Sequence, residues 1–150
     1  MKDLISTARV ISTADIQEVV GPHNQFLVPC VTSDTCGAEA ISAGLVNMPP
    51  GKVARAHYHA HSETIVVCTR GHAATLIGPE LVPHEHGPGE FLYVPPGVVH
   101  VAVNLSDTDE VVALDIRTDP KFSEDLILTP EFDEAAAEIA ARLRRERAAA

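Results

Sequence analysis

The sequence predicts an all-β barrel or sandwich closed by one helix at its C-terminal end. Three observations carry this. Short apolar runs of strand length recur between residues 26 and 118, separated by turns rich in Gly and Pro. Two of those turns, Met48-Pro49-Pro50-Gly51 and Pro95-Pro96-Gly97, are of the kind that reverses a chain between strands. The residues from about 130 to 147 differ in kind, with apolar positions at helical spacing.

Taken in order, residues 1–20 hold short apolar pieces, Leu4-Ile5, Val10-Ile11, Ile16 and Val19-Val20. They read as an N-terminal arm packing on a sheet edge or on a partner subunit. Gly21-Pro22-His23-Asn24 is a turn. Phe26-Leu27-Val28 and Val31 form a strand, and Pro29 within it suits an edge position. Ser33 to Gly37 reads as a loop, and Ala40 to Asn47 as a strand leading into the first Pro-Pro-Gly reversal. Lys52 to His59 is the next strand, followed by a turn at Ala60 to Ser62 and a buried strand from Thr64 to Cys68. Gly71 breaks it, and His72 to Gly78 returns as another strand.

Pro79 to Pro88 reads as a hydrophilic loop. Its His84-Glu85-His86 triplet could make a second metal site, but two prolines interrupt the extended geometry that would align ligands. His23 and His72 have no partner in sequence and read as ordinary surface or hydrogen-bonded residues. Phe91 to Val94 and Val98 to Val103 are strands on either side of Pro95-Pro96-Gly97. Ser106 to Glu110 is an acidic turn, and Val111 to Ile116 closes the barrel. Thr129 then reads as a helix N-cap with Pro130 in the first helical position. Phe132, Ala136, Ile139 and Leu143 share one face, with acidic residues early and arginines late, the order that complements the helix dipole. That face packs on the barrel.

A chain of 150 residues is one domain by length, with enough material for a single core. A net charge of −10 argues against nucleic acid or an anionic membrane surface as partner. No run is long enough to cross a bilayer, and MKDLISTARV lacks the apolar core of a signal peptide, so a soluble cytoplasmic protein is expected. Cys30, Cys36 and Cys68 are odd in number and lack CxxC spacing, which reads as reduced, small apolar residues. With no Trp and few aromatic residues there is little material for stacking on bases or sugars.

The chemistry is concentrated in two stretches. In Gly51 to Gly71, His57, His59 and His61 stand at i, i+2 and i+4, with Glu63 at i+6. Side chains at even separation on a strand share a face, so an extended chain would project four ligands into one space. In Gly89 to Asn104, His100 lies on an apolar strand after the Pro-Pro-Gly turn. Neutral imidazoles suit Zn, Fe, Cu and Ni, and a nearby carboxylate widens the choice.

These stretches resemble the two motifs of the cupin family. Gly51, His57-Tyr58-His59, Glu63 and Gly71 look like the first, and Gly89, Pro95, Gly97, His100 and Asn104 match the second without a gap. The resemblance covers residues 51 to 104. It implies a small jelly-roll barrel with one divalent metal held by His57, His59, Glu63 and His100. Zinc is favoured, with iron, manganese, copper or nickel as alternatives. One spacing departs from the family pattern: seven residues, where six are usual, separate Glu63 from Gly71. Counting forward from His59 makes Glu63 the ligand. Counting back from Gly71 puts Thr64 in that place and turns Glu63 to the other face. His61 is then the substitute, unless a bulge reconciles the two counts.

Open metal positions in a dry cavity are those of a catalytic site. The resemblance to small single-domain cupins that serve as aromatic polyketide cyclases in bacterial secondary metabolism implies ring closure of a poly-carbonyl substrate. The metal would stabilise an enolate, and a histidine or bound hydroxide would move protons. The alternatives are a dioxygenase with a redox metal and Glu63 inward, and a binding module without catalysis. The expected partners are a small apolar or aromatic substrate and, from family habit and the apolar N-terminal pieces, a second copy joined by strand exchange.

Overall fold

Two antiparallel sheets face each other across the core, giving the jelly-roll sandwich the sequence predicts. The computed structural model describes residues 7–150; the Leu4-Ile5 piece lies outside them. In chain order the strands are β1 (Val19–Val20), β2 (Phe26–Val31), β3 (Ser42–Met48), β4 (His57–His59), β5 (Thr64–Arg70) and β6 (Ala73–Ile77). They continue with β7 (Val82–His86), β8 (Phe91–Val94), β9 (His100–Asn104), β10 (Val111–Arg117) and β11 (Leu126–Leu128). One sheet runs β1-β2-β3-β10-β5-β8 and the other β11-β4-β9-β6-β7. The helices are the single turn α1 (Ser33–Cys36) and the long α2 (Asp133–Ala149). No helix among the described residues is long and apolar enough to cross a membrane.

Four expectations are corrected. Ser33 to Gly37 is α1, not loop: Thr32 caps it by accepting from the Asp34 and Thr35 amides, and Gly37 ends it at φ 74°. Pro79 to Pro88 is not loop throughout, because Val82–His86 pairs along β6 as an edge strand. Pro83 is tolerated there since an edge strand needs only one side of its ladder. The histidine strand is shorter than Lys52 to His59, reduced to His57–His59 with an isolated bridge from Val53 to Val103. Thr129 stands at the start of a 3-10 turn but its side chain makes no cap bond.

The helix packs as predicted. Ala136 and Ala140 are buried against Ala74, Leu76, Val101 and Val103, with Phe132, Ile139 and Leu143 alongside. The alternate residues of β6 and β9, Ala73, Thr75, His100 and Ala102, face the interior, so this sheet is covered on both sides. The C-terminal segment also pins the strand that carries the histidines. The Ala56 amide donates to Asp133 Oδ1 at 2.7 Å, and the Thr129 amide donates to the Ala56 carbonyl at 2.9 Å.

Between β10 and β11 a strap folds over the sandwich. Asp119 accepts from the Lys121 and Glu124 amides at 2.8 and 2.7 Å. Phe122 adopts φ 75° with its ring buried under the Arg117 guanidinium, 4.3 Å away. Left-handed backbone is costly for an aromatic residue, and packing holds it there. Gly44 makes room for that ring: a Cβ would stand 2.4 Å from the Val28 carbonyl and 3.1 Å from Phe122. Gly44→Ala should therefore cost roughly 1–3 kcal/mol by overpacking, read from chemical denaturation. An unchanged denaturation midpoint would show that the strap is not packed this way.

Candidate metal centre

Antiparallel pairing sets His57 of β4 directly opposite His100 of β9, and their ring centroids lie 4.3 Å apart. His59, two residues along β4 on the same face, stands 5.3 and 5.4 Å from those rings. One ligand atom from each of the three falls within 4.8 Å of the others, and all three residues are buried. Two positions of β4 and one of β9 thus meet through one strand pair and the two-residue period of a strand.

The second nitrogen of each ring is already committed. His57 Nδ1 lies 2.8 Å from the Arg55 carbonyl, and His100 Nδ1 lies 2.9 Å from the Val98 carbonyl. His59 Nδ1 lies 3.3 Å from Asp125 Oδ1. A carbonyl or an ionised carboxylate only accepts, so each Nδ1 carries the proton and each Nε2 keeps a lone pair. His59 Nε2 is buried without a partner in the protein. Second nitrogens anchored in this way are characteristic of metal-ligating histidines.

Electrostatics points the same way. Burial first, then the charge of Arg117 and neighbouring His100, lowers the His59 pKa to about 3. Burial brings His100 to about 4, against the pull of the Val98 carbonyl. His57 is held well below its ordinary value by burial and then by His100. All three are neutral at neutral pH, the form that binds metal. Burial would raise Asp125, but donors from the His61 amide, the Ser62 amide and the Ser62 hydroxyl overcome it and bring the carboxyl to about 2. Asp125 therefore stays a carboxylate and orients His59.

His61 and Glu63 are not part of this cluster. Both are exposed; His61 gives its amide to Asp125, and Glu63 accepts the Tyr93 hydroxyl at 2.8 Å on the outer face. Thr64 is the residue that turns inward, as counting back from Gly71 requires, and its Oγ1 is buried without a partner. A bulge does exist, at Thr69, where the β5–β10 register skips from Cys68 to Arg70, but it lies beyond Glu63 and leaves that residue outside.

The reading of His23 as an ordinary residue is corrected: it is buried, its ring is 4.6 Å from His57, and its pKa falls to about 2 through burial and then Arg117. No sequence signal marks it, because it approaches from the turn before β2. Arg117, Asp115 and Gln25 also escaped the sequence reading. Arg117 Nη2 donates to Asp115 Oδ2 at 2.9 Å, Nη1 donates to the Phe122 carbonyl, and both residues are buried. The two polar residues at alternate positions near the end of β10, Asp115 and Arg117, were the available clue.

These groups surround a cavity with about 50 Å³ of free space. Among the described residues, eight buried side-chain atoms lack a partner, and five of them belong to residues on its wall: His23, Gln25, Thr64, His86 and Arg117. Between them the wall is apolar, with Val46, Met48, Val66, Leu92 and Val94. Buried polar atoms are normally satisfied, so orphans gathered in one cavity mark a place for ligand, ion or water.

A two-sheet jelly roll, with three histidines that could hold a metal ion converging on its inner face, is a fold of the cupin type. Residues 44–117 of the chain match the family model for the cupin domain. No curated protein matches it. It is similar to an oxalate decarboxylase of Lactobacillus farciminis solved as a formate complex, at 20% identity and TM-score 0.66, covering 79% of this chain and 35% of that one. It therefore spans about a third of that protein's length. It is also similar to a sugar phosphate isomerase of the cupin superfamily from Silicibacter pomeroyi, at 22% identity and TM-score 0.59, covering 73% of this chain and 75% of that one. A third likeness is to KdgF from Halomonas sp., at 17% identity and TM-score 0.61, covering 77% and 96%. Likeness at these identities establishes the fold.

Two outcomes are expected. His57→Ala, His59→Ala and His100→Ala each abolish binding of one divalent ion, whereas His61→Ala and Glu63→Ala leave it intact; Asp125→Asn weakens it by about 10–100-fold. Titration calorimetry with zinc reads all six. The metal-free protein should also be acid-sensitive. His23, His57, His59 and His100 titrate from 6.5 when unfolded and well below it when folded. The unfolded chain then binds more protons, so stability is full above about pH 6.5 and is lost as pH falls toward 4, by up to about 1.4 kcal/mol per pH unit for each histidine. A denaturation midpoint that is flat from pH 7 to 5 would contradict this.

Proposed function

We propose that this protein is a metal-dependent enzyme that acts on a small poly-carbonyl molecule by Lewis-acid and enolate chemistry. The observation that carries the reading is the concentration of unpartnered buried polar atoms around three anchored, neutral histidines. His57, His59 and His100 would hold the ion through Nε2, with zinc the favoured metal. A divalent ion with open positions polarises a carbonyl oxygen and stabilises the negative charge that develops on it.

The protein's own groups supply the rest. Arg117, fixed between Asp115 and the Phe122 carbonyl, sets a buried positive charge on the cavity wall where an anionic oxygen forms. Thr64 and Gln25 offer uncommitted hydrogen-bonding atoms beside it. Thr75 Oγ1 and His86 Nε2, 2.9 Å apart, form a neutral polar pair also on the cavity wall, suited to a hydroxyl or carbonyl rather than a second charge. Burial lowers the His86 pKa and keeps that pair neutral. The apolar residues between exclude water. His23, with a pKa of about 2, is too weak a base to take a proton at neutral pH and orients the substrate instead.

Size favours short substrates. A free volume of about 50 Å³ is well below the several hundred of a pocket for drug-sized ligands, so a long poly-carbonyl chain enters only if the cavity walls move apart. Cyclisation of a polyketide chain is the larger member of this reaction class. The dioxygenase reading loses support from Glu63, whose carboxylate faces outward onto Tyr93.

The test follows deuterium entry into the methyl groups of pyruvate and acetoacetate in D₂O by NMR, with oxygen uptake recorded in parallel. The zinc-loaded protein should accelerate exchange by about 10²–10³-fold over His100→Ala, the scale of a lost oxyanion donor, without consuming oxygen. Iron with oxygen uptake would establish the dioxygenase, and no exchange on either probe would sink the enolate reading.

A further inference from the structure

The cavity has two polar ends, and strand register separates them. Between β9 and β6, His100 stands opposite Ile77 and Ala102 opposite Thr75, so Thr75 lies one inward position beyond the histidine. Two residues along a strand and one strand spacing across put it roughly 8 Å from His100, backbone to backbone. One functional group cannot serve both ends at that separation.

The histidine end also holds Arg117. Burial and then the charge of Arg117 lower the pKa values of His23 and His59, which places the guanidinium beside them. Its Nη1 and Nη2 are spent on the Phe122 carbonyl, Ser123 and Asp115, and Nε is left without a partner. This end suits an anionic oxygen. The far end holds Thr75 and His86, both buried and neutral, with Oγ1 and Nε2 2.9 Å apart.

That far pair can donate or accept. If His86 Nε2 donates, the Thr75 hydroxyl hydrogen is free for the cavity; if Thr75 donates, its oxygen still accepts there. Gln25 is buried on the same wall with Oε1 unpartnered, and an amide offers both kinds of atom whichever way it is turned. Thr64 Oγ1, also buried and unpartnered, does the same. A carboxylate or ketone only accepts, so a ligand built of these alone leaves the acceptors of the wall unpaired. Among the groups a small organic acid carries, a hydroxyl does both without adding charge.

We propose that the cavity selects a short hydroxylated acid, its acid end at the histidines and Arg117 and a distal hydroxyl on the Thr75–His86 pair. Thr75 and His86 then decide specificity. The inference rests on the metal-dependent reading above and narrows the poly-carbonyl class to its hydroxylated members.

Titration calorimetry of the zinc-loaded full chain with 2-hydroxybutanoate and 2,4-dihydroxybutanoate tests it. These acids differ only in the distal hydroxyl, and both lack the acidic C–H of a 2-oxo acid, so binding is read without turnover. The dihydroxy acid should bind about 10–100-fold more tightly, the scale of leaving a buried polar group unpaired. Thr75→Val should remove that preference, and Thr75→Ser, which keeps a hydroxyl, should retain it. Equal binding of the two acids by the wild type overturns the inference alone and assigns the unpartnered atoms to water. If Thr75→Val lowers both affinities together and keeps their ratio, the pair has a packing role only, and the inference is again overturned. If neither acid binds, it falls together with the reading of the histidines as an acid-binding metal site.

Discussion

Antiparallel pairing of β4 with β9 at a single register point, His57 opposite His100, is the contact on which the centre depends. A shift of one residue would send His57 and His59 to the face that α2 covers and bring Tyr58 inward. The fold secures that register from both sides. β11 pairs with β4 residue by residue, from Leu126 opposite His59 to Leu128 opposite His57. Asp133 and Thr129 hold the backbone of Ala56 just ahead of the first histidine. The C-terminal segment is therefore the support of the histidine strand as well as a cover for the core.

The strap between β10 and β11 connects packing to chemistry. Asp119 ties its backbone, Phe122 anchors it in the core in a strained conformation, and Asp125 emerges to accept from His59. The same Phe122 stacks on Arg117, so one buried ring helps to position both the charge on the cavity wall and the carboxylate behind His59. Burial of so many polar groups carries a desolvation cost, which most of them offset by pairing or by facing the cavity.

That cost explains the distribution of polarity in β10. Along β10 the interior is partly polar because Asp115 and Arg117 face the cavity, while Leu114 and Ile116 lie on the outer face. An all-apolar interior would hold the same sheets more firmly and would bind nothing. Apolar burial comes from two layers: β6–β9–α2, with Leu76, Val101 and Val103, and a second cluster of Leu27, Val46, Met48, Val111 and Phe122.

The sequence by itself determined most of the strands, the two Pro-Pro-Gly reversals, the packing face of the helix and the shared face of His57 and His59. Each of these is written in local spacing: alternation for strands, a 3.6-residue period for the helix, and HxH on one strand face. Other features were not legible because they depend on distant contacts. β11 is only three residues, Leu126–Leu128, and exists because β4 offers it an edge. His84-Glu85-His86 is strand because β6 pairs with it, despite Pro83. Glu63 and Thr64 could not be assigned by counting, since the turn at Ala60 to Ser62 resets the alternation and Asp125, 63 residues away from Ser62, holds that turn. His23 and Arg117 enter the site from other strands and carry no motif. Local periodicity fixed which side chains share a face; only tertiary pairing decided which faces meet, because burial and hydrogen bonding between distant segments select the register.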